Sequence, residues 1–281
     1  MREIKSVDES FDLKRASEYH LSIQVGLDGF SFCILDIRRD KYVFFQHIPL
    51  IVGKPQFLSR KAESIFDLEE KLNASYQTVS ITYSTDKATL IPKEYSGSAN
   101  FLQLAGLTNE IGRHEEVLTN HIPGFNYQLA YICPKELTTL LNRKFTDFQF
   151  RHKSIPLLAN VLNQYDEKRN TLLINFETKY IRTIALKGSE IDLYNNFYFK
   201  TESDFLYYSL HIFHSLQFDP ERDEILIGGF VADDSSYIRQ IRKYVSNVHF
   251  LKPSANFSYG NLFDKIQKHQ FVSLLNSYPC E

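Results

Sequence analysis

The sequence predicts an α/β protein made of two related lobes, each a mixed sheet carrying helices. Three observations predict it. The order strand, strand, strand, helix, strand occurs twice, about 150 residues apart. Tight-turn signals separate the early strands of each copy. The intervening helices carry apolar stripes at 3.6-residue spacing, suited to covering a sheet face.

In the first copy, HLSIQVG (20–26) and GFSFCILD (29–36) flank Leu27-Asp28, with Asp28-Gly29 as a hairpin signal. KYVFFQHI (41–48) follows a polar turn. Ala62, Ile65, Phe66 and Leu72 stripe a helix over 59–72, and QTVSITY (77–83) and KATLIP (87–92) read as strands. In the second copy, TLLINFE (171–177), YIRTIALKG (180–188) and EIDLYNNFYF (190–199) are strands with short turns. Thr201 and Asp204 form a capping-box signature before a helix striped by Phe205, Tyr208, Ile212 and Leu216. EILIGG (224–229) is a short buried strand ending in paired glycines. Ser235 caps a helix carrying Ile238, Ile241 and Val245, and a brief strand lies at 248–251.

Between the copies lie a strand (125–133), a helix with Pro134 at its first turn, a short strand at 148–150 and a helix over 155–165. The polar run Asp166-Glu167-Lys168-Arg169-Asn170 marks the boundary. The expected domains are a first lobe over 1–169, with an insertion at about 93–150, and a second lobe over 170–281.

Composition narrows the function classes. The 281 residues suit two domains of ~100–200 residues each. With 23 Phe, 17 Tyr and no Trp, Phe and Tyr rings fill the expected core. A net charge of −2 supplies no basic field for nucleic acid. There is no apolar run of ~20 residues to span a bilayer, and the amino terminus lacks a secretory apolar core. Cys33, Cys133 and Cys280 form no CxxC and suit a reducing compartment, so a cytoplasmic location is expected. The nucleophile elbow, the P-loop and HExxH are all absent.

The duplicated order, with the glycines and hairpins above, resembles the actin-like ATPase superfamily, two ribonuclease-H-like lobes facing across a cleft. The pilus- and secretion-assembly actin-like proteins, and an allied family of uncharacterised bacterial proteins, are the most similar. The resemblance spans roughly residues 20 to 251 and implies a nucleotide site. Each lobe's first strand then ends Asp-x-Gly, the aspartates holding hydrated magnesium and the glycines admitting phosphates to the backbone. Paired glycines after a later strand pack against adenosine.

On that pattern Gly26, Gly228 and Gly229 are remnants of the cleft, and Gln24, Asn175 and Glu177 are its altered positions. As residues alone, the three glycines read as turn glycines at strand ends. Gln24 and Asn175 replace carboxylates by amides, far poorer magnesium partners. Glu177 puts a negative charge where phosphates would lie. One like-charge pair at ~4 Å costs about 4 kcal/mol at an effective dielectric near 20, roughly a thousandfold in affinity.

Three other features have simpler readings: His211 and His214 as packing histidines, Asp233-Asp234 as helix-start charges, Cys33 as a packed thiol. The expectation is a catalytically inactive actin-like binding scaffold without a catalytic residue, metal or required cofactor, ATP and magnesium binding weakly at most. Its partner, by the same resemblance, is a protein or peptide held in a groove of one lobe. The alternative is an ATP- and magnesium-dependent ATPase or small-molecule kinase using Glu177 or Asp233; a filament subunit is a third reading.

Overall fold

The computed structural model describes residues 2–95, 101–164, 168–188, 190–264 and 266–278. Cys280, and Asp166 and Glu167 of the expected boundary run, lie outside them. The chain forms two compact units: one runs to Ala159 and takes up again the stretches beginning at Ser254 and Ser273, and the other comprises Asn160–Pro253 and Gln267–Val272.

The first unit contains β1 (Ile4–Val7), β2 (Tyr19–Gly26), β3 (Gly29–Asp36), β4 (Lys41–Pro49), α1 (Leu58–Leu68), β5 (Thr78–Ser84), β6 (Ala88–Pro92), α2 (Phe101–Thr108), β7 (Glu115–His121), β8 (Tyr127–Pro134), α3 (Lys135–Lys144) and β9 (Gln149–His152). Next comes α4 (Ser154–Leu162). The second unit continues with β10 (Thr171–Phe176), β11 (Tyr180–Lys187), β12 (Glu190–Tyr198), α5 (Glu202–Ser215), β13 (Glu224–Gly229), α6 (Ser236–Ile241) and β14 (Asn247–Phe250). A final turn of helix, α7, spans Val272–Leu275.

The main sheet of the first unit has the order β1-β4-β3-β2-β5-β9; that of the second is β12-β11-β10-β13-β14. Leaving out the edge strand β1, the two share one topology. The first strand is central, antiparallel to the hairpin on one side and parallel to two later strands on the other. The hairpin turn at Leu27-Asp28 closes as its residues require, with Gly26 opposite Gly29.

The structure adds elements that the periodicity did not reveal. β1, α2 and β7 are unannounced, and the insertion forms its own sheet of order β6-β8-β7. β6 therefore joins the insertion, and the fifth strand of the main sheet is β9, reached only after α3. The expected helix over 59–72 ends at Leu68 and resumes as a 3-10 turn at Glu70–Asn73.

Packing follows the period-2 pattern of the strands. Leu21, Ile23 and Val25 of β2 join Phe30, Phe32 and Phe44 under α1 and α3, meeting Ala62, Phe66, Leu137 and Leu141. The other face of that sheet is covered by the returning carboxy-terminal residues. There Phe45 lies 5.1 Å from Phe263 and Tyr42 stacks on Tyr259 at 5.3 Å, while the Tyr42 hydroxyl donates to the Leu275 carbonyl at 2.6 Å. In the second unit Leu172, Ile174 and Ile227 pack with Phe205 and Ile212 of α5 and Ile238 and Ile241 of α6.

The capping box at α5 is complete. The Asp204 amide donates to Thr201 Oγ1 at 3.1 Å, and the Thr201 amide donates back to Asp204 Oδ2 at 3.0 Å. Thr201→Ala is expected to destabilise the protein by about 1 kcal/mol. The urea midpoint should fall with its slope unchanged; an unmoved midpoint would refute the cap's contribution.

Candidate functional site

The hairpin register fixes what meets what at the two altered positions. In the second unit Asn175 stands opposite Arg182 on one side and beside Gly228 on the other, and Arg182 stands opposite Asn196. Side chains in register share a face, so these residues form one row across the sheet. Asn175, Glu177 and Arg182 are all buried, Arg182 completely.

The row is closed by its own contacts. Asn175 Nδ2 donates to Glu177 Oε1 at 2.8 Å, and Arg182 Nη1 lies 3.8 Å from the same oxygen. Arg182 also donates to Asn196 Oδ1 and to the Tyr180 hydroxyl, each at 3.1 Å, and its guanidinium lies 5.6 Å from the Tyr180 ring centre. Glu177 is thus no isolated negative charge: a guanidinium from the paired strand compensates it. The repulsion expected from the sequence treats that charge as bare and overstates it.

The paired glycines serve this arrangement. A Cβ on Gly228 would lie 2.9 Å from Asn175 Oδ1, so its absence leaves room for the amide. Gly229 has φ +80, and a Cβ there would lie 2.1 Å from the Phe176 carbonyl oxygen. Only glycine fits. Gly26 packs closely too, its virtual Cβ 3.1 Å from Ser84 Cβ.

In the first unit the corresponding row is His47, Ser31, Gln24, Thr82, Arg151, read across β4, β3, β2, β5 and β9. His47 Nδ1 and Ser31 Oγ are hydrogen-bonded at 2.7 Å. Among the described residues, Gln24 Oε1 and Arg151 Nη1 are buried without a hydrogen-bond partner. Four residues before Gln24 on the same face of β2, His20 sits between Thr78 Oγ1 at 2.7 Å and Ser80 Oγ at 2.9 Å. Burial pushes its pKa down to about 3, with the charge of Arg151 acting in the same direction.

This donor set does not fit hydrated magnesium. Two neutral amides occupy the positions that carboxylates hold in the family pattern, each row contains a guanidinium, and the Glu177 carboxylate is engaged by Arg182 and Asn175. Among the described residues no three His, Cys, Asp or Glu side chains come together as a metal site. Asp233 is paired instead with His269, whose Nδ1 lies 3.3 Å away and whose Nε2 is 2.8 Å from the Val231 carbonyl oxygen.

Arg182 and Arg151 were the residues that sequence reasoning missed. For Arg182 the signal was present: a tight turn between Glu177 and Tyr180 puts 175 opposite 182. His211 and His214 are exposed rather than packed, with His211 stacked on Tyr207 at 5.6 Å. Cys33 and Cys133 are buried thiols whose pKa values burial pushes up, which makes them poor nucleophiles.

Among the described residues no helix is long and apolar enough to cross a membrane. A protein from Bacteroides thetaiotaomicron, with an actin-like ATPase fold and unknown function, superposes with a TM-score of 0.76 at 22% identity, over 85% of this chain and 93% of that one. A PilM–PilN type IV pilus biogenesis complex superposes at 0.59 with 9% identity, over 93% of this chain and 98% of that one. The ethanolamine utilization protein EutJ from Carboxydothermus hydrogenoformans superposes at 0.52 with 8% identity, over 92% and 88%. No functionally curated protein matches. The fold is therefore the actin-like ATPase fold. A family model described as "Protein of unknown function (DUF3822)" matches residues 8–248, and the chain belongs to that family.

Proposed function

We propose that this chain is a non-catalytic actin-like binding protein of the cytoplasm, a scaffold for a protein or peptide partner that neither requires nor turns over ATP. The observation that carries the reading is the buried Asn175–Glu177–Arg182 row. The hairpin that the resemblance assigns to metal and phosphate has its carboxylate paired with a guanidinium of its own. A magnesium–phosphate group entering there would have to break the Arg182–Glu177 pair and meet an amide in place of a carboxylate. In this reading Gly26, Gly228 and Gly229 keep the architecture of a nucleotide cleft without its chemistry.

The scaffold half draws on the fold shared with PilM, which is held in a complex with PilN. Two buried, reduced cysteines fit a cytoplasmic setting. Calorimetric titration with ATP, with and without magnesium, is the test. The expected result is no magnesium-dependent binding tighter than about 1 mM and no hydrolysis above background. Micromolar magnesium–ATP affinity would overturn the reading and favour an ATPase or small-molecule kinase.

A further inference from the structure

Facing turns of α1 and α3 enclose a groove of about 430 Å³ in the first unit, on the surface of the helical layer. Ser59, Arg60 and Glu63 line it from α1; Lys135, Glu136, Thr139 and Arg143 line it from α3, at spacings that keep each set on one helix face. His114, from the turn before β7, completes one end.

Its charges divide into compensated and uncompensated groups. Glu63 is paired with Arg143, and Glu136 lies 3.3 Å from His114. Arg60 and Lys135 have no carboxylate partner among the described residues; the Lys135 ammonium reaches only the Arg113 carbonyl, at 3.5 Å. Two further features favour an anion. The groove runs along α3 from its amino-terminal end, where the N-cap Pro134 provides no side-chain acceptor, although the Lys135 amide already donates to the His114 carbonyl at 3.0 Å. Ser59 is buried to 7% exposure, and its hydroxyl has no hydrogen-bond partner among the described residues. A buried hydroxyl left unsatisfied is costly, and a bound oxygen acceptor removes that cost.

We propose that this groove binds a phosphate monoester, with Arg60 and Lys135 supplying charge and Ser59 a hydroxyl donor. Several donors around one small space suit a tetrahedral dianion with multiple acceptor oxygens better than they suit a single carboxylate. The site is independent of whether the chain binds nucleotide, because none of its residues belongs to the hairpins discussed above. Its ligand is either a phosphorylated side chain of a partner or a free phosphate compound.

The test is titration of the full chain, in a metal chelator at low salt, with three probes: a blocked tripeptide centred on phosphoserine, the same tripeptide with serine, and inorganic phosphate. Chelation removes magnesium–ATP chemistry, so this result and the nucleotide result fail separately. The phosphotripeptide is expected to bind tighter than about 1 mM and the serine tripeptide not at all. Comparable binding of inorganic phosphate identifies a free phosphate compound as the ligand class; binding of the phosphotripeptide alone identifies a phosphorylated partner. The double variant Arg60→Glu, Lys135→Glu, whose side chains are exposed, should retain the wild-type melting temperature and lose at least tenfold in affinity. Ser59→Ala should weaken binding while leaving the protein folded. Absence of binding for every phosphorylated probe, or binding undiminished in the double variant, would overturn the proposal.

Discussion

Glu177→Ala is expected to destabilise the protein by about 3–5 kcal/mol, the usual consequence of removing one member of a buried ion pair. Arg182 has no exposed surface, and without Glu177 its buried positive charge would lose the carboxylate 3.8 Å from its Nη1. Arg182→Met should cost a similar amount for the reciprocal reason, since the buried carboxylate of Glu177 would lose the guanidinium beside it. The double change Glu177→Gln, Arg182→Met removes both charges while preserving volume, so its cost should fall well below the sum of the single costs. Urea unfolding of the four proteins gives the coupling energy directly. Additive losses would mean that the 3.8 Å approach carries no coupling, and the internal-compensation argument would fail with it. Replacing Asn175 by Asp and Glu177 by Gly gives this hairpin the family pattern, and it also leaves Arg182 with a new carboxylate directly opposite it, at position 175. Replacing Arg182 as well would remove the positive charge beside that carboxylate.

Much of this was legible in the sequence, and the reasons are specific. Strand order was readable because each core strand of the main sheets is a continuous apolar or alternating run ended by a turn signal. TLLINF and EILIGG show this in the second unit. Thr201 and Ser235 announced their helices because a cap needs a particular side chain at a particular offset. β7 was not readable: EEVLTNH has charges at its start, polar residues at its end and half-buried faces, so it lacks a clean two-residue period. β1 is an edge strand of four residues with alternate residues exposed, too short to separate from a loop. At the site, identity was legible and environment was not. That amides stand at positions 24 and 175 can be read from the letters. That Glu177 is neutralised by Arg182 depends on hairpin register, and that Arg151 shares a row with Gln24 depends on β9 returning to the sheet after the insertion.

Acidification from pH 7 to pH 5 is expected to remove about 4 kcal/mol of stability, through His20 and His47. Both are buried in the polar face of the first sheet. Burial pushes His20 down to about 3 and His47 to about 4, the nearby Asp28 only partly opposing the effect at His47 and Lys153 adding to it. In the unfolded chain both titrate near 6.5. The folded state therefore binds fewer protons than the unfolded state once the pH drops below ~6.5. Their stabilising contribution is complete above that value, and it is lost as the pH falls toward the folded-state values near 4 and 3. At ~1.36 kcal/mol per unit, each histidine forfeits about 2 kcal/mol over the 1.5 units between pH 6.5 and 5. His269, also lowered chiefly by burial, adds in the same direction. Asp8, held down to about 2, does not interfere, because its contribution is lost only below ~4. Unfolding curves at pH 7.5 and 5.0 measure the difference, and His20→Gln and His47→Gln should each remove about half of it. A pH-independent unfolding free energy over that interval would show that neither imidazole is excluded from water in the native state.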